Sequence, residues 1–104
     1  MSSQVETNNK NLRIPHVNTL TQASKIALEF DRPIMLDYYC AQARIVKTKE
    51  GDTILYKSND EYTSPLGKLL KVDNSQSSDG TCDLIAMSEN SVYLVTSRVL
   101  PNNN

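Results

Sequence analysis

Two apolar segments near the C-terminus constrain this chain more than any other feature. Residues 84–87 and 92–95 are rich in aliphatic side chains and are separated by a short polar stretch. This arrangement predicts a β-hairpin with strands at residues 83–88 and 91–97 that reverses at Glu89 and Asn90, since Asn90 can adopt left-handed backbone geometry. Both segments are apolar at consecutive positions instead of alternating with polar residues, so both faces of the hairpin need to be covered.

Two interpretations of that cover are open. In the favoured one, the sheet interior hides one face and a helix of the same chain hides the other. In the second, a partner protein covers one face, and the hairpin then supplies most of a binding surface, joined by a tyrosine from a polar loop. The candidate protein-binding residues of this second interpretation are Leu84, Met87, Val92, Tyr93, Val95 and Tyr62.

A single amphipathic helix is predicted upstream of the strands. Thr19 and Gln22 have the spacing of a capping box, in which a hydroxyl and an amide satisfy backbone donors at a helix start. The apolar face at helical spacing consists of Ala23, Ile26, Ala27 and Phe30. We expect the helix to end before Pro33, because proline disfavours helical geometry in the residue that precedes it.

The remainder of the chain before the last hairpin is predicted to form short strands. Strands are expected over residues 34–40, 43–48, 53–58 and 68–72, with polar connections at residues 59–65 and 73–81. The second and third of these strands form a hairpin that turns through Gly51, since glycine readily adopts the geometry of a tight turn.

These elements predict a mainly β protein of the α+β class. Its architecture is one N-terminal amphipathic helix followed by an antiparallel meander or small barrel of about six short strands, because consecutive strands joined by short turns favour antiparallel pairing. At 104 residues the chain is expected to form one globular domain over residues 14–100, with polar tails at residues 1–13 and 101–104.

The residue types that carry chemistry are sparse. The chain has a formal net charge of −1, one histidine, His16, and two cysteines, Cys40 and Cys82. The histidine lies in the segment that leads into the helix and the cysteines fall in separate strand-like runs, so no spacing indicates a catalytic base, a thiol nucleophile or a zinc site. We therefore predict no catalytic residue, no metal site, no cofactor and a non-enzymatic role.

A local cationic patch gives an alternative function. In this interpretation a small β-barrel binds single-stranded nucleic acid, with cations contacting phosphates and a tyrosine stacking on bases. Its candidate residues are Arg44, Lys47, Lys57 and Tyr56. Lysines at strand edges also prevent sheet-to-sheet aggregation, and that structural explanation is favoured for these residues.

Three stretches of the chain resemble small proteins of large nucleocytoplasmic DNA viruses that infect algae and protists. They are residues 31–39, 57–65 and 88–95. The resemblance implies a virion component, a minor capsid protein or a small accessory factor whose partners are other viral proteins. It carries over no catalytic residue, and it marks residues 60–65, with Tyr62, as the surface loop most similar to that family.

Together these observations predict a non-enzymatic interaction or structural module, virus-encoded, that binds viral structural proteins or a second copy of itself. The chain lacks a run of roughly 20 apolar residues and a secretion signal, so we expect it in the host cytoplasm or the virion, without membrane insertion. Binding of single-stranded nucleic acid is the alternative function.

Overall fold

The computed structural model describes residues 13–40 and 42–101, which contain one α-helix, seven β-strands and a short 3₁₀ turn. The predicted tails at residues 1–13 and 101–104 lie outside the described residues except for Arg13 and Pro101. The elements in chain order are α1 (Val17–Phe30), β1 (Ile34–Met35), β2 (Arg44–Lys47), β3 (Thr53–Ser58), β4 (Glu61–Tyr62), β5 (Leu66–Lys71), β6 (Asp83–Ser88), β7 (Val92–Thr96) and the 3₁₀ turn Ser97–Val99. No helix in the described ranges is long and apolar enough to cross a membrane.

The strands form two sheets. One has four strands in the order β1-β7-β6-β5, and the other has three in the order β2-β3-β4. All neighbours are antiparallel except β1 and β7, which pair in parallel. The predicted α+β class is confirmed, and each sheet contains a meander of three consecutive strands. The two meanders belong to separate sheets. Strand β1 pairs with β7, which is distant from it in the sequence.

The β6–β7 hairpin forms the centre of the fold. All six residues of β6 are buried. On one face Ile85 and Leu94 pack with Ala23 of α1, and on the other Leu84 and Val95 pack with Leu55 of β3. The hairpin is therefore covered on both faces by its own chain, as the favoured interpretation of the sequence expected.

The turn of this hairpin differs from the prediction in one respect. Positive φ angles at non-glycine residues occur, within the described ranges, at Asp31 and Asn74 and not at Asn90. The Ser91 amide donates to the Ser88 side-chain oxygen over 3.2 Å, and the Ser88 amide donates to the Ser91 carbonyl over 3.0 Å. These two bonds close the turn, so left-handed geometry at Asn90 is not needed.

The helix begins three residues before the predicted start, at which Thr19 was the capping residue. His16 is the N-cap, and its Nδ1 accepts a hydrogen bond from the Asn18 amide over 3.0 Å. Thr19 does not cap the helix, because its hydroxyl is buried and donates instead to the distant Asp83 carboxylate. The helix ends before Pro33 as predicted, with Asp31 in left-handed geometry at the C-cap.

The predicted strand over residues 34–40 is shortened to β1. A turn follows, in which the Tyr39 amide donates to the Leu36 carbonyl over 3.0 Å. This turn breaks the strand alternation, so Leu36 is exposed while the consecutive residues Tyr38 and Tyr39 are both buried. Tyr39 packs in the helix-side core and Tyr38 in the core between the sheets.

The second predicted hairpin is confirmed. Strands β2 and β3 pair with Arg44 opposite Tyr56, and Gly51 has a φ of 92° in the connecting turn. The predicted polar connection at residues 59–65 contains the short strand β4, which pairs with β3. The predicted strand over residues 68–72 is present as β5, displaced toward the N-terminus.

Candidate interaction surface

The predicted protein-binding residues separate into a buried and an exposed group. Leu84, Met87, Val92 and Val95 are buried inside the domain. Tyr93 is half-buried, and its ring meets the Tyr38 ring edge-on with centroids 5.5 Å apart. Tyr62 is 58% exposed. The hairpin residues therefore form the core, and Tyr62 is the member of the set that a partner could reach without opening the fold.

The predicted nucleic-acid-binding residues do not form one surface either. Arg44 and Tyr56 are paired across β2 and β3 and share a face of the three-stranded sheet. Side chains alternate along a strand, so Lys47 and Lys57 belong to the opposite face. The four residues are thus divided between the two faces, because the hairpin register, and not their proximity in sequence, decides which side chains meet.

Lys57 has internal partners. Its ammonium group is 2.9 Å from the Glu61 carboxylate and 4.5 Å from the centre of the Tyr38 ring. Burial, followed by the Glu61 carboxylate, raises the pKa of Tyr38. This lysine holds β3, β4 and the turn after β1 together, so its charge is already engaged within the chain.

The outer face of the three-stranded sheet brings tyrosine and arginine together, with Arg44 and Tyr62 exposed, Tyr56 half-buried and Ile54 buried. Leu55 and Ile45 pack toward the core between the sheets, so the other face of β2 and β3 points away from it. A row of side chains crosses all three strands on this outer face, because Arg44 is opposite Tyr56 and Tyr56 is opposite Tyr62. We name this outer surface the tyrosine face, and its members are Arg44, Val46, Ile54, Tyr56 and Tyr62.

A shallow hollow of about 320 Å³ lies at one end of the tyrosine face. Ile54 and Tyr62 contribute to its lining, as does Pro65 from the connection that leads to β5. Two carboxylates, those of Glu50 and Asp52, also line it. The tyrosine face therefore combines an arginine and two tyrosines with a hollow of mixed polar and apolar lining that includes two acidic residues.

A second polar constellation is buried, and the sequence analysis did not identify it. The Asp83 carboxylate is inaccessible to solvent and accepts four hydrogen bonds. Its Oδ1 accepts from the Arg13 guanidinium over 2.9 Å and from the Tyr39 hydroxyl over 2.6 Å. Its Oδ2 accepts from the His16 amide over 2.8 Å and from the Thr19 hydroxyl over 2.6 Å. We name this group of five residues the Asp83 anchor.

The anchor joins distant parts of the chain. Arg13 also donates to the Ser75 carbonyl over 2.9 Å and to the Thr81 hydroxyl. The Asp83 amide donates to the Ser75 hydroxyl over 2.8 Å, and that hydroxyl donates to the Val72 carbonyl over 2.7 Å. The segment before α1, the helix start, the turn after β1 and the loop between β5 and β6 are thus tied to the first residue of β6.

This arrangement is suited to holding the fold and not to chemistry on a substrate. Both carboxylate oxygens already have two donors, so no lone pair is directed at a cavity. Burial, and next the hydrogen bond to Asp83, raises the pKa of Tyr39, which keeps this hydroxyl protonated as a donor. The hollow described above is not lined by any member of the anchor.

The other residues considered for chemistry are dispersed. His16 caps the helix, Cys82 is buried, and the exposed Cys40 thiol lies 3.5 Å from the Arg13 carbonyl oxygen. Within residues 13–40 and 42–101, no group of three or more histidine, cysteine, aspartate or glutamate side chains is placed to hold a metal ion.

Comparison of the chain with protein-family models, with curated proteins and with solved structures finds no match.

Proposed function

We propose that this protein is a non-enzymatic interaction module that binds partner proteins through the tyrosine face. The observation that carries the proposal is the row of Arg44, Tyr56 and Tyr62 across an outer sheet face. Tyrosine and arginine are the residue types enriched at the energetic centres of protein interfaces. A tyrosine gives a large apolar contact area and a polar tip while losing little conformational entropy on binding.

The hollow beside Tyr62 supports a protein partner over a nucleic acid. A single strand of nucleic acid would bring phosphates to this face, and Arg44 would attract them. Glu50 and Asp52 line the hollow at the other end of the same face and would repel them. A mixed surface of one cation, two acidic residues, aromatic rings and a partly apolar hollow is suited to another protein surface.

Residues 57–65, which include Tyr62, resemble viral proteins, and this resemblance is the basis for proposing the origin of the partner. We propose that the partner is a viral structural protein or a second copy of the chain, and that the protein acts in the virion or the host cytoplasm. Of the predicted protein-binding residues, Tyr62 belongs to the proposed site, and Arg44 and Tyr56 are added to it.

The proposal is tested by comparing partner capture by matched variants. The wild-type chain, the double variant Tyr56→Ala/Tyr62→Ala and the control Leu28→Ala are purified, and light scattering over a concentration series measures self-association. Leu28 is 85% exposed on α1, so the control removes an apolar surface side chain elsewhere in the fold. The same three proteins are used to retain partners from virions or infected cells.

We expect the wild type and the Leu28→Ala control to self-associate or to retain the same defined partner. The double tyrosine variant should bind at least about tenfold more weakly, since central interface tyrosines commonly contribute more than about 1.4 kcal/mol. A strictly monomeric wild type that retains no partner contradicts the proposal, as does equal binding by all three proteins.

Nucleic acid is the second candidate, favoured by the placement of an arginine in one row with two tyrosines on one face. Fluorescence anisotropy with a labelled single-stranded oligonucleotide at low ionic strength measures it, because phosphate contacts are strongest there. Absence of binding under these conditions eliminates this candidate. Binding that is lost on Arg44→Glu but kept on Lys47→Glu would favour it over the protein partner.

A further inference from the structure

One strand of the four-stranded sheet has a long free edge. The sheet order places β5 at one end and the two-residue strand β1 at the other. Strand β5 spans six residues and pairs with β6 on one side. Within the described part of the chain, no backbone pairing joins β5 to a strand on its other side. An edge of this kind presents unpaired N–H and C=O groups in the spacing of a strand.

The edge is accessible and held in place. Gly67, Lys68, Leu69 and Lys71 are exposed, whereas the half-buried Leu70 packs against the helix-side core. The strand is therefore fixed by its inner side chain and by β6, while most of its other residues are accessible to solvent. A preformed edge lowers the entropic cost for an extended segment that adds to it.

The charge of the edge selects its occupant. Lys68 and Lys71 participate in none of the ion pairs of the described residues. Because side chains alternate, Lys68 shares a face with Leu70, and Lys71 shares the other face with Leu69. The free edge thus presents one lysine on each face of the sheet, and an added strand meets a positive charge on both.

A second copy of β5 is a poor occupant. Antiparallel pairing of two copies about Leu69 would place the two Lys68 side chains as diagonal neighbours on one face, and pairing about Leu70 would do the same for the two Lys71 side chains. Like charges at such positions repel, and lysines on edge strands are a common protection against self-pairing. The same two lysines stabilise a strand that carries carboxylates at the facing positions.

We propose that the free edge of β5 binds an extended acidic segment of a partner protein as a fifth strand of the sheet. The register fixes the sequence of that segment. The residues that face Lys68, Leu69, Leu70 and Lys71 form the pattern acidic, apolar, apolar, acidic. This pattern reads the same for parallel and antiparallel addition.

A hollow at the start of β5 extends the site. It measures about 280 Å³, and its lining includes Pro65, Leu66 and Met87. Arg32 and Lys68 line it as well, next to the irregular pairing between Leu66 and Lys68. An apolar side chain that flanks the acidic residue facing Lys68 would reach this hollow, so the segment is expected to carry one there.

The test uses a synthetic fluorescent peptide with Glu-Val-Val-Glu at its centre and a leucine on either flank. Anisotropy titrations measure its binding to the wild-type chain, to Lys68→Glu/Lys71→Glu and to the control Lys25→Glu/Lys49→Glu. Lys25 and Lys49 are exposed, and this control changes the net charge by the same amount away from β5. Circular dichroism establishes that all three proteins are folded.

We expect saturable binding to the wild type and to the control, and at least tenfold weaker binding to Lys68→Glu/Lys71→Glu. A second peptide with Lys-Val-Val-Lys at its centre should show the reverse preference and bind the Lys68→Glu/Lys71→Glu variant. Hydrogen exchange should show added protection of β5 amides in the complex. Backbone N-methylation of the peptide should remove binding, because strand addition needs its N–H groups.

Three results would overturn the proposal: no binding by the wild type at low ionic strength, equal losses in the two lysine variants, or unchanged binding of the N-methylated peptide. The inference is independent of the tyrosine face. Tyr56→Ala/Tyr62→Ala should bind the peptide as the wild type does, so the failure of either proposal is recognised separately.

Discussion

The Asp83 anchor and the tyrosine face are built from the same kinds of side chain and behave in opposite ways. Each contains an arginine and tyrosine, with acidic residues either in it, as Asp83, or beside it, as Glu50 and Asp52. In the anchor, Arg13 and Tyr39 donate to a carboxylate that is inaccessible to solvent. In the tyrosine face, Arg44 and Tyr62 are exposed on an outer sheet surface. The comparison shows that residue type alone does not identify a site.

What separates the two regions is whether their polar groups are satisfied within the chain. A buried carboxylate is tolerated only when donors replace the water that it loses. Asp83 has four such donors, and none of its capacity is left for another molecule. The outer ends of Arg44 and Tyr62 remain in water, and a partner can replace that water at low cost.

The largest expected effect comes from removing the carboxylate of the anchor. Asp83→Ala leaves Arg13, Tyr39, Thr19 and the His16 amide without their acceptor inside the domain. Breaking a buried ion pair in this way destabilises proteins by about 3–5 kcal/mol. Urea unfolding followed by circular dichroism measures the loss, and Asp83→Asn provides a milder variant if the alanine variant does not fold.

The matched control for this prediction is Asp79→Ala. Asp79 also accepts several hydrogen bonds and pairs with Arg98 over 2.7 Å, but it lies on the surface. These hydrogen bonds, led by that from Ser77, lower the pKa of Asp79. Its replacement should lower the free energy of unfolding far less than replacement of Asp83. Equal losses at the two positions would show that burial does not distinguish them.

An intermediate effect is expected from Tyr39→Phe. The variant removes one hydroxyl that donates to the buried carboxylate, and hydrogen bonds to charged groups contribute about 1.5–3 kcal/mol. Tyr38→Phe is the control, because Tyr38 is also buried but makes no side-chain hydrogen bond among the described residues. A loss no greater for Tyr39→Phe than for Tyr38→Phe would contradict the role of the anchor.

The same tyrosine gives the anchor an alkaline pH dependence. The pKa of Tyr39 is raised above its ordinary value of 10.0, so the folded state keeps a proton that the unfolded state releases. Its contribution to stability is complete below pH 10 and is lost as the pH rises toward the pKa of the folded state. The unfolding midpoint in urea should therefore fall more steeply above about pH 10 in the wild type than in Tyr39→Phe.

The smallest effect on stability is expected at the tyrosine face. Tyr62→Ala removes an exposed side chain that faces Tyr56 across β3 and β4, and cross-strand pairs contribute less than about 1 kcal/mol. Chemical unfolding measures this change, and partner binding by the same variant is compared with it. A loss of several kcal/mol would place Tyr62 with the structural residues and end the contrast between the two regions.

The sequence predicts well those structural features that residues close together in the chain determine. Both hairpins, the end of α1 and the α+β class follow from periodicity, turn chemistry and proline. The helix start was wrong because the Thr19 hydroxyl finds a long-range acceptor, Asp83, which the residues around Thr19 do not indicate. The strand over residues 34–40 was too long because a turn, in which the Tyr39 amide donates to the Leu36 carbonyl, follows β1.

The residues of the candidate site could be predicted from the sequence, but not which of them share a face of the sheet. Tyr62 was assigned to a protein-binding set, and Arg44 and Tyr56 to a nucleic-acid-binding set. The register of β2, β3 and β4 places all three on one face. Aligning the two arms of the predicted hairpin would have found Arg44 with Tyr56, whereas Tyr62 lies in β4, within the predicted polar connection. Glu50 and Asp52 could not be assigned to the site from the sequence, because only the folded chain brings their turn next to Tyr62.

The parallel pairing of β1 with β7 has a consequence for how the domain forms. Ile34 pairs with Val92 and Met35 with Tyr93, so this contact closes a long loop, whereas each hairpin closes a short one. We expect the hairpins to assemble early and α1 with β1 to dock late on the pathway. The β1–β7 pairing is then expected to break first when the native state opens locally. The central strands of the domain are expected to be its most protected part.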